Sequence, residues 1–134
     1  MIQVAAAIIV KMGKLLITKR SESMSLPNLW EFPGGKLKED ESPEDCVVRE
    51  IREELKVDIT VLRYFTTTRH KYDFGEIELI AYVAELDNGK ITLTEHSEFK
   101  WVDIRSLCNY EFAPADIPII KKLEEEGIWD LIQG

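Results

Sequence analysis

The feature that most constrains the fold lies at the start of the chain. Val4-Ala5-Ala6-Ala7-Ile8-Ile9-Val10 is an unbroken apolar run that Lys11 closes. It has no basic residues ahead of it, and it stops well short of the roughly 20 apolar residues a membrane span requires. At strand length and bounded by a turn, it reads as a strand buried in a sheet. Lys11-Met12-Gly13-Lys14 supplies that turn, and Leu15-Leu16-Ile17-Thr18 supplies a second strand.

The rest of the chain mixes both kinds of element. Ser21 to Asn28 is a polar loop containing Pro27, and Leu29 to Phe32 is a short strand broken by Pro33-Gly34-Gly35. Ser42-Pro43-Glu44-Asp45 signals a helix start: a serine cap, a proline at the first helical position, and two acids at the positive end of the dipole. That helix is expected to run to Leu55. Val57 to Thr68 and Glu76 to Leu86 read as strands on either side of Asp73-Phe74-Gly75. Asn88-Gly89 reads as a hairpin turn, with short strands at Ile91 to Thr94 and Phe99 to Val102. Asp103 is placed to cap a short helix, and a last helix is expected over Ile117 to Glu126, stopping at Gly127. The expected class is mixed α/β (α+β), helices packed on a sheet, in one domain over residues 1–134.

Charge narrows the partners. Seventeen Lys and Arg against 25 Asp and Glu give a net charge of −8. Such a surface repels a DNA or RNA backbone, so no nucleic acid polymer and no membrane is expected as partner. A small anion can bind only through a local basic spot or a bound cation. The two cysteines, Cys46 and Cys108, form no metal or disulfide pattern and read as reduced thiols in a cytoplasmic protein.

On a helical wheel Val47, Val48, Ile51 and Leu55 share the core-facing arc. Glu50, Glu53 and Glu54, at i, i+3 and i+4, crowd an adjoining arc. Like charges 5–6 Å apart cost about 1 kcal/mol per pair in water and several times that near a protein. Arg49 and Arg52 flank the arc and reach only part of it. Two readings follow: a solvated acidic face, or a site for a divalent cation that takes oxygen ligands and carries phosphate.

From Gly35 the chain reads Gly-x5-Glu41-x7-Arg49-Glu50-Ile51-x-Glu53-Glu54-x-Lys56-Val57. This resembles the Nudix box, G-x5-E-x7-R-E-U-x-E-E-x-G-U with U aliphatic, at every specified position but one. Lys56 stands where the box has glycine, at the expected helix end, where a left-handed residue is common. Lysine there costs about 1 kcal/mol or lets the helix run on. The resemblance continues outside the box. Ala5 to Arg20 with Trp30-Glu31-Phe32-Pro33-Gly34-Gly35-Lys36 is similar to the first half of MutT-type Nudix enzymes, and Trp101-Val102-Asp103 with Phe112-Ala113-Pro114-Ala115-Asp116 to the second half.

The resemblance implies a mixed β-sheet sandwiched between helices, the box forming a catalytic loop-helix-loop. It implies magnesium-dependent hydrolysis of nucleoside triphosphates, modified or oxidised ones included, to monophosphate and pyrophosphate, with manganese as a substitute metal. Glu50, Glu53 and Glu54 become metal ligands together with the backbone at Gly34. Arg49 orients the glutamates and Glu41 pairs with Arg49. Lys36 lies beside the phosphates and Arg20 grips them. A further ligand is expected from Glu95 or Glu98, with Glu95 favoured by its spacing to Trp101. Cys46 reads as a buried filler, and His70 and His96 as non-catalytic.

Asp116 stands where MutT-type enzymes place the residue that reads the base, and helix capping is its alternative role. An ionised carboxylate accepts only, which suits cytosine N4–H or guanine N1–H with its 2-amino group. The sequence after it is similar to the CTP pyrophosphohydrolase branch, so cytosine nucleotides come first and guanine or 8-oxoguanine nucleotides second. Phe32, Phe112 and Tyr110 are candidates to stack on a base or to fill the core. The partner is thus a small-molecule nucleotide, the state a monomer or homodimer. The alternatives are another Nudix substrate or a silent nucleotide-binding module.

Overall fold

The computed structural model describes residues 1–133, with side chains through Gly127. Its strands are β1 (Ile2–Lys11), β2 (Lys14–Lys19), β3 (Trp30–Glu31), β4 (Gly34–Lys36), β5 (Asp58–Tyr72), β6 (Gly75–Asn88) and β7 (Glu98–Val102). Two helices, α1 (Pro43–Leu55) and α2 (Ile117–Gln133), and two 3-10 turns, Ile104–Asn109 and Pro114–Asp116, complete the described residues. The strands form one mixed sheet in the order β3-β2-β1-β6-β5, with β4 on β1 and β7 on β2. β1 runs parallel to β6 from Ile2↔Ile77 to Val10↔Glu85, the other named strand pairs among the described residues are antiparallel, and an isolated parallel bridge joins Trp30 to Phe112.

The apolar run is explained by its place in this sheet. Ala5, Ala7 and Ile9 pack under α1, while Ala6 and Ile8 face the opposite core beneath α2 and the 3-10 turns. A strand covered on both faces has no polar side, so its sequence shows no alternation. α1 contributes Cys46, Val47, Ile51 and Leu55, all fully buried. Each of the three aliphatic side chains contributes about 1.5–3 kcal/mol.

β1 and β2 pair only beside their turn, at Val10↔Leu15 and Lys11↔Lys14. Beyond that point residues 30–36 enter the gap. β3 pairs with β2 at Thr18↔Glu31 and Lys19↔Trp30, and β4 pairs with β1 at Ala6↔Gly34 and Val4↔Lys36. Between them the Ala7 N–H donates to the Pro33 carbonyl at 2.8 Å. The expected break at Pro33-Gly34-Gly35 is therefore half right: the strand bends at Pro33 and resumes as β4. A Cβ at Gly34 would collide with the Ala5 carbonyl, which makes glycine necessary there.

Ser42 caps α1, its hydroxyl accepting from the Asp45 N–H at 3.1 Å. At the other end Lys56 adopts the left-handed conformation (φ 60°, ψ 32°), and its N–H donates to the Arg52 carbonyl. Lysine thus occupies the geometry the box reserves for glycine, and the helix does not run on.

The hairpin expected at Asn88-Gly89 and the strand expected at Ile91 to Thr94 are both absent. β6 ends at Asn88, and residues 89–97 form an irregular loop. Its backbone is used differently: the Thr92 N–H donates to the Leu55 carbonyl at 2.9 Å and the Thr94 N–H to the Glu54 carbonyl at 3.1 Å. Carbonyls at a helix C-terminus lack intrahelical partners, and here the loop supplies them. At the end of the chain helical dihedrals break at Gly127 (φ 79°, ψ 166°), as expected, but a further helical stretch follows to Gln133. Asp103 precedes the first 3-10 turn without making a side-chain cap bond.

Candidate active site

The loop-helix-loop around α1 converges on Arg49. Its Nε and Nη2 donate to the two oxygens of Glu41 at 2.7 and 2.9 Å, a bidentate pair. Its Nη1 donates to Glu50 Oε1 at 2.8 Å and to Glu53 Oε2 at 3.2 Å, and Nη2 also reaches the Lys36 carbonyl at 3.1 Å. The hydrogen bonds from Arg49 hold the Glu41 carboxyl down at about 2. Arg52 turns away to Asp58 at 2.8 Å. One arginine therefore orders the helix and the loop before it, engaging one oxygen each of Glu50 and Glu53.

Glu54 is different. It is buried, and its Oε1 has no hydrogen-bond partner. Burial, followed by the charges of Glu50, Glu31 and Glu95, pushes its carboxyl up to about 9. These four carboxylates come from three different places: α1 supplies two, β3 one and the 89–97 loop one. Glu95 acts on Glu54, whereas Glu98 lies in β7 beside Lys100, 3.8 Å away. Among the described residues no three acidic, histidine or cysteine side chains already converge as a metal cage.

A Cβ at position 35 would strike the Glu50 carboxylate and push it from its place beside Arg49. The Cys46 thiol donates to the Gly35 carbonyl at 3.4 Å, and burial pushes it up to about 11. It is an inert thiol that fills space under the loop.

Beside the carboxylates lies a cavity of about 420 Å³. Arg20, Glu31, Glu50, Glu54, Phe32 and Asp116 all reach its wall, as do the backbone at Gly34 and Gly35 and Lys36. Arg20 donates through Nη1 to Glu31 Oε1 at 2.8 Å, through Nε to the Ser25 carbonyl at 2.5 Å and through Nη2 to the Ser25 hydroxyl at 3.0 Å. Asp116 is almost fully buried, and its Oδ1 accepts from the Phe32 N–H at 3.1 Å. That bond goes to the backbone between β3 and β4. Burial, then the facing Glu31, pushes Asp116 well above the usual carboxylate range.

Of the aromatic candidates, Phe32 forms cavity wall and packs on Phe112 with ring centroids 5.6 Å apart. Tyr110 instead meets Trp30 edge-on at 5.2 Å. Sequence reasoning missed Glu31, Tyr72 and Phe74. Phe74 is 54% exposed and stacks on Tyr72 at 5.0 Å, both bordering the cavity mouth. The signal for Glu31 was present. It is a lone acid between buried Trp30 and Phe32, and period-two alternation points it to the other side of the strand.

Comparison with known proteins agrees with this geometry. Residues 1–123 match the NUDIX domain. The chain belongs to the Nudix family. Among its relatives is the CTP pyrophosphohydrolase of Escherichia coli (strain K12), 37% identical over 121 residues that span 90% of each chain. The 8-oxo-dGTP diphosphatase of the same organism is 31% identical over 112 residues, 84% of this chain and 87% of that one. The solution structure of the MutT protein of methicillin-resistant Staphylococcus aureus 252, a Nudix hydrolase, is 47% identical, covers 94% of this chain and 97% of that one, and superposes with a TM-score of 0.76. This Nudix chain is thus a MutT-like hydrolase, with the mixed sheet between helices that the box implied. No helix among its described residues is long and apolar enough to cross a membrane.

Proposed function

We propose that this Nudix hydrolase cleaves nucleoside triphosphates to monophosphate and pyrophosphate with a divalent cation, clearing modified nucleotides from the cytoplasmic pool. One observation carries the proposal: Glu54, buried, unpartnered at Oε1 and faced by three other carboxylates, beside a cavity of nucleotide size. A buried carboxylate among like charges is stable only when protonated or when a cation joins it. The donor set is hard oxygen, which fits magnesium or manganese. Glu50, Glu53, Glu54, Glu95 and the backbone at Gly34 would hold the ion. When bound, it supplies charge neutralisation on the phosphates and activation of the attacking water.

The chain's own residues do the rest. Arg49, fixed by Glu41, keeps Glu50 and Glu53 aimed at one place. Arg20 and Lys36 attract the phosphates in an otherwise acidic molecule. Phe32 offers an apolar wall to the base and Asp116 a polar edge. Burial moves Asp116 towards its protonated form, which both donates and accepts. That pattern complements N3 and the 4-amino group of cytosine, so cytosine nucleotides are the first expected substrates. The ionised form accepts only, and matches N1–H and the 2-amino group of guanine. The free thiols of Cys46 and Cys108 suit a reducing compartment.

The test is a panel of canonical and oxidised nucleoside triphosphates assayed for monophosphate and pyrophosphate with magnesium and with chelator. The expected result is metal-dependent pyrophosphate release, with kcat/KM highest for a cytosine nucleotide. Absence of pyrophosphate from every triphosphate overturns the reading.

A further inference from the structure

His96 was read from sequence as non-catalytic, and the proposed chemistry does not use it. Its surroundings give it a task. It is buried in the 89–97 loop, and Nε2 lies 2.8 Å from Glu31 Oε2. A carboxylate accepts only, so Nε2 carries the proton and donates. The other oxygen of Glu31, Oε1, accepts from Arg20 Nη1 at 2.8 Å. His96, Glu31 and Arg20 thus form one line of hydrogen bonds from the loop to the cavity wall. The loop is pinned next to it, the Ser97 N–H donating to the Lys19 carbonyl at 3.0 Å.

Nδ1 of His96 is buried without a partner. A residue serving only to fill space would be better apolar, because an unmatched buried polar atom costs stability. What the imidazole offers here that an apolar side chain cannot is its Nε2 contact. Without that donor Glu31 keeps only its Arg20 contact at Oε1, and of the three hydrogen bonds that hold the guanidinium, two of them to Ser25, the one to Glu31 loses its fixed acceptor.

We propose that His96 is a positioning residue that acts through Glu31 to hold the Arg20 guanidinium in place for the triphosphate. The inference rests on the hydrolase reading above, in which Arg20 meets phosphate. It gives the irregular loop a second link to the site besides Glu95.

The test compares His96→Leu, which keeps bulk, with His96→Gln, whose amide N–H can reach Glu31. Steady-state kinetics on a nucleoside triphosphate with magnesium is one readout, and the Arg20 Nε–H resonance in the NMR spectrum of the nucleotide-free chain is the other. His96→Leu should raise KM about tenfold with a smaller change in kcat. It should also broaden or erase the Arg20 Nε–H signal. His96→Gln should restore both. Adding Arg20→Ala to His96→Leu should cost nothing beyond Arg20→Ala alone. Multiplying effects, an unchanged KM in Arg20→Ala, or a Gln variant no better than Leu each overturns the proposal. If the unsubstituted chain releases no pyrophosphate, the hydrolase reading falls instead, and the Arg20 resonance alone decides the positioning role.

Discussion

The buried carboxylate of Glu54 makes stability depend on pH in a direction opposite to most acids. Its ordinary value is 4.5, and burial with its acidic neighbours raises it to about 9 in the fold. Between those values the unfolded chain releases a proton that the folded chain keeps. Unfolding therefore gains about 1.4 kcal/mol per pH unit across the window. The folded state is unburdened below pH 4.5 and fully burdened above pH 9. At pH 7 the burden is about 3 kcal/mol, or about 10 °C in melting temperature for a chain this long. Glu54→Gln keeps the shape and cannot ionise. In chelator, melting curves from pH 5 to 9 should converge at the acid end, with the variant melting progressively above the parent as pH rises. Millimolar magnesium should then raise the parent's melting temperature more at pH 8 than at pH 6, and leave the variant nearly unmoved. Parallel curves for parent and variant would refute the reasoning, since they would mean that Glu54 ionises equally in both states.

Glu53→Gln should keep the fold, because Glu53 is 55% exposed, and cut turnover by orders of magnitude, because it removes a ligand charge; near-normal turnover with unchanged circular dichroism would contradict its ligand role. The ratio of kcat/KM for cytosine over guanine triphosphates should fall as pH rises through the raised pKa of Asp116, and Asp116→Asn, which always presents both a donor and an acceptor, should flatten that dependence. A ratio insensitive to pH in the parent would place base choice elsewhere in the pocket. Lys56→Gly should stabilise the chain by about 0.5–1 kcal/mol in urea denaturation, relieving a left-handed lysine; a loss of stability would show that the lysine's charge at the helix end outweighs its backbone strain.

Much of this protein is legible in its sequence because local chemistry decides it. The serine cap, the proline after it and the spacing of Val47, Ile51 and Leu55 define α1 without reference to anything distant. The apolar run of β1 is equally plain. The carboxylate arc followed from helical geometry, and the Nudix box gave it a purpose. What failed was decided by tertiary partners. Asn88-Gly89 carries a strong turn signal, yet the next residues bond helix carbonyls at Leu55 and Glu54 rather than a strand. Gly34 and Gly35 look like breakers and are strand residues: β1 backbone leaves no room for a side chain at 34, and the Glu50 carboxylate occupies the space beside 35. The uneven burial of the acidic arc was also invisible. Glu54 is buried and Glu53 exposed one residue away, a difference set by Glu31 and the loop bearing Glu95. The sequence puts Asp116 beside the base as an ionised carboxylate and gives no sign of the burial that raises its pKa.

The ribbon of residues 30–36 wedged between β1 and β2 has a consequence for how such an enzyme diversifies. Its main chain anchors Asp116 through the Phe32 N–H and ties Arg49 through the Lys36 carbonyl. Both holds on the ribbon's side are made by peptide groups, which substitutions other than proline at 32 leave in place. The pocket side chains at 32, 74 and 116 take no part in the hold on Arg49. New substrate preferences can therefore accumulate at the rim while the cleavage apparatus stays in register, and a lineage can change its diet without relearning its chemistry.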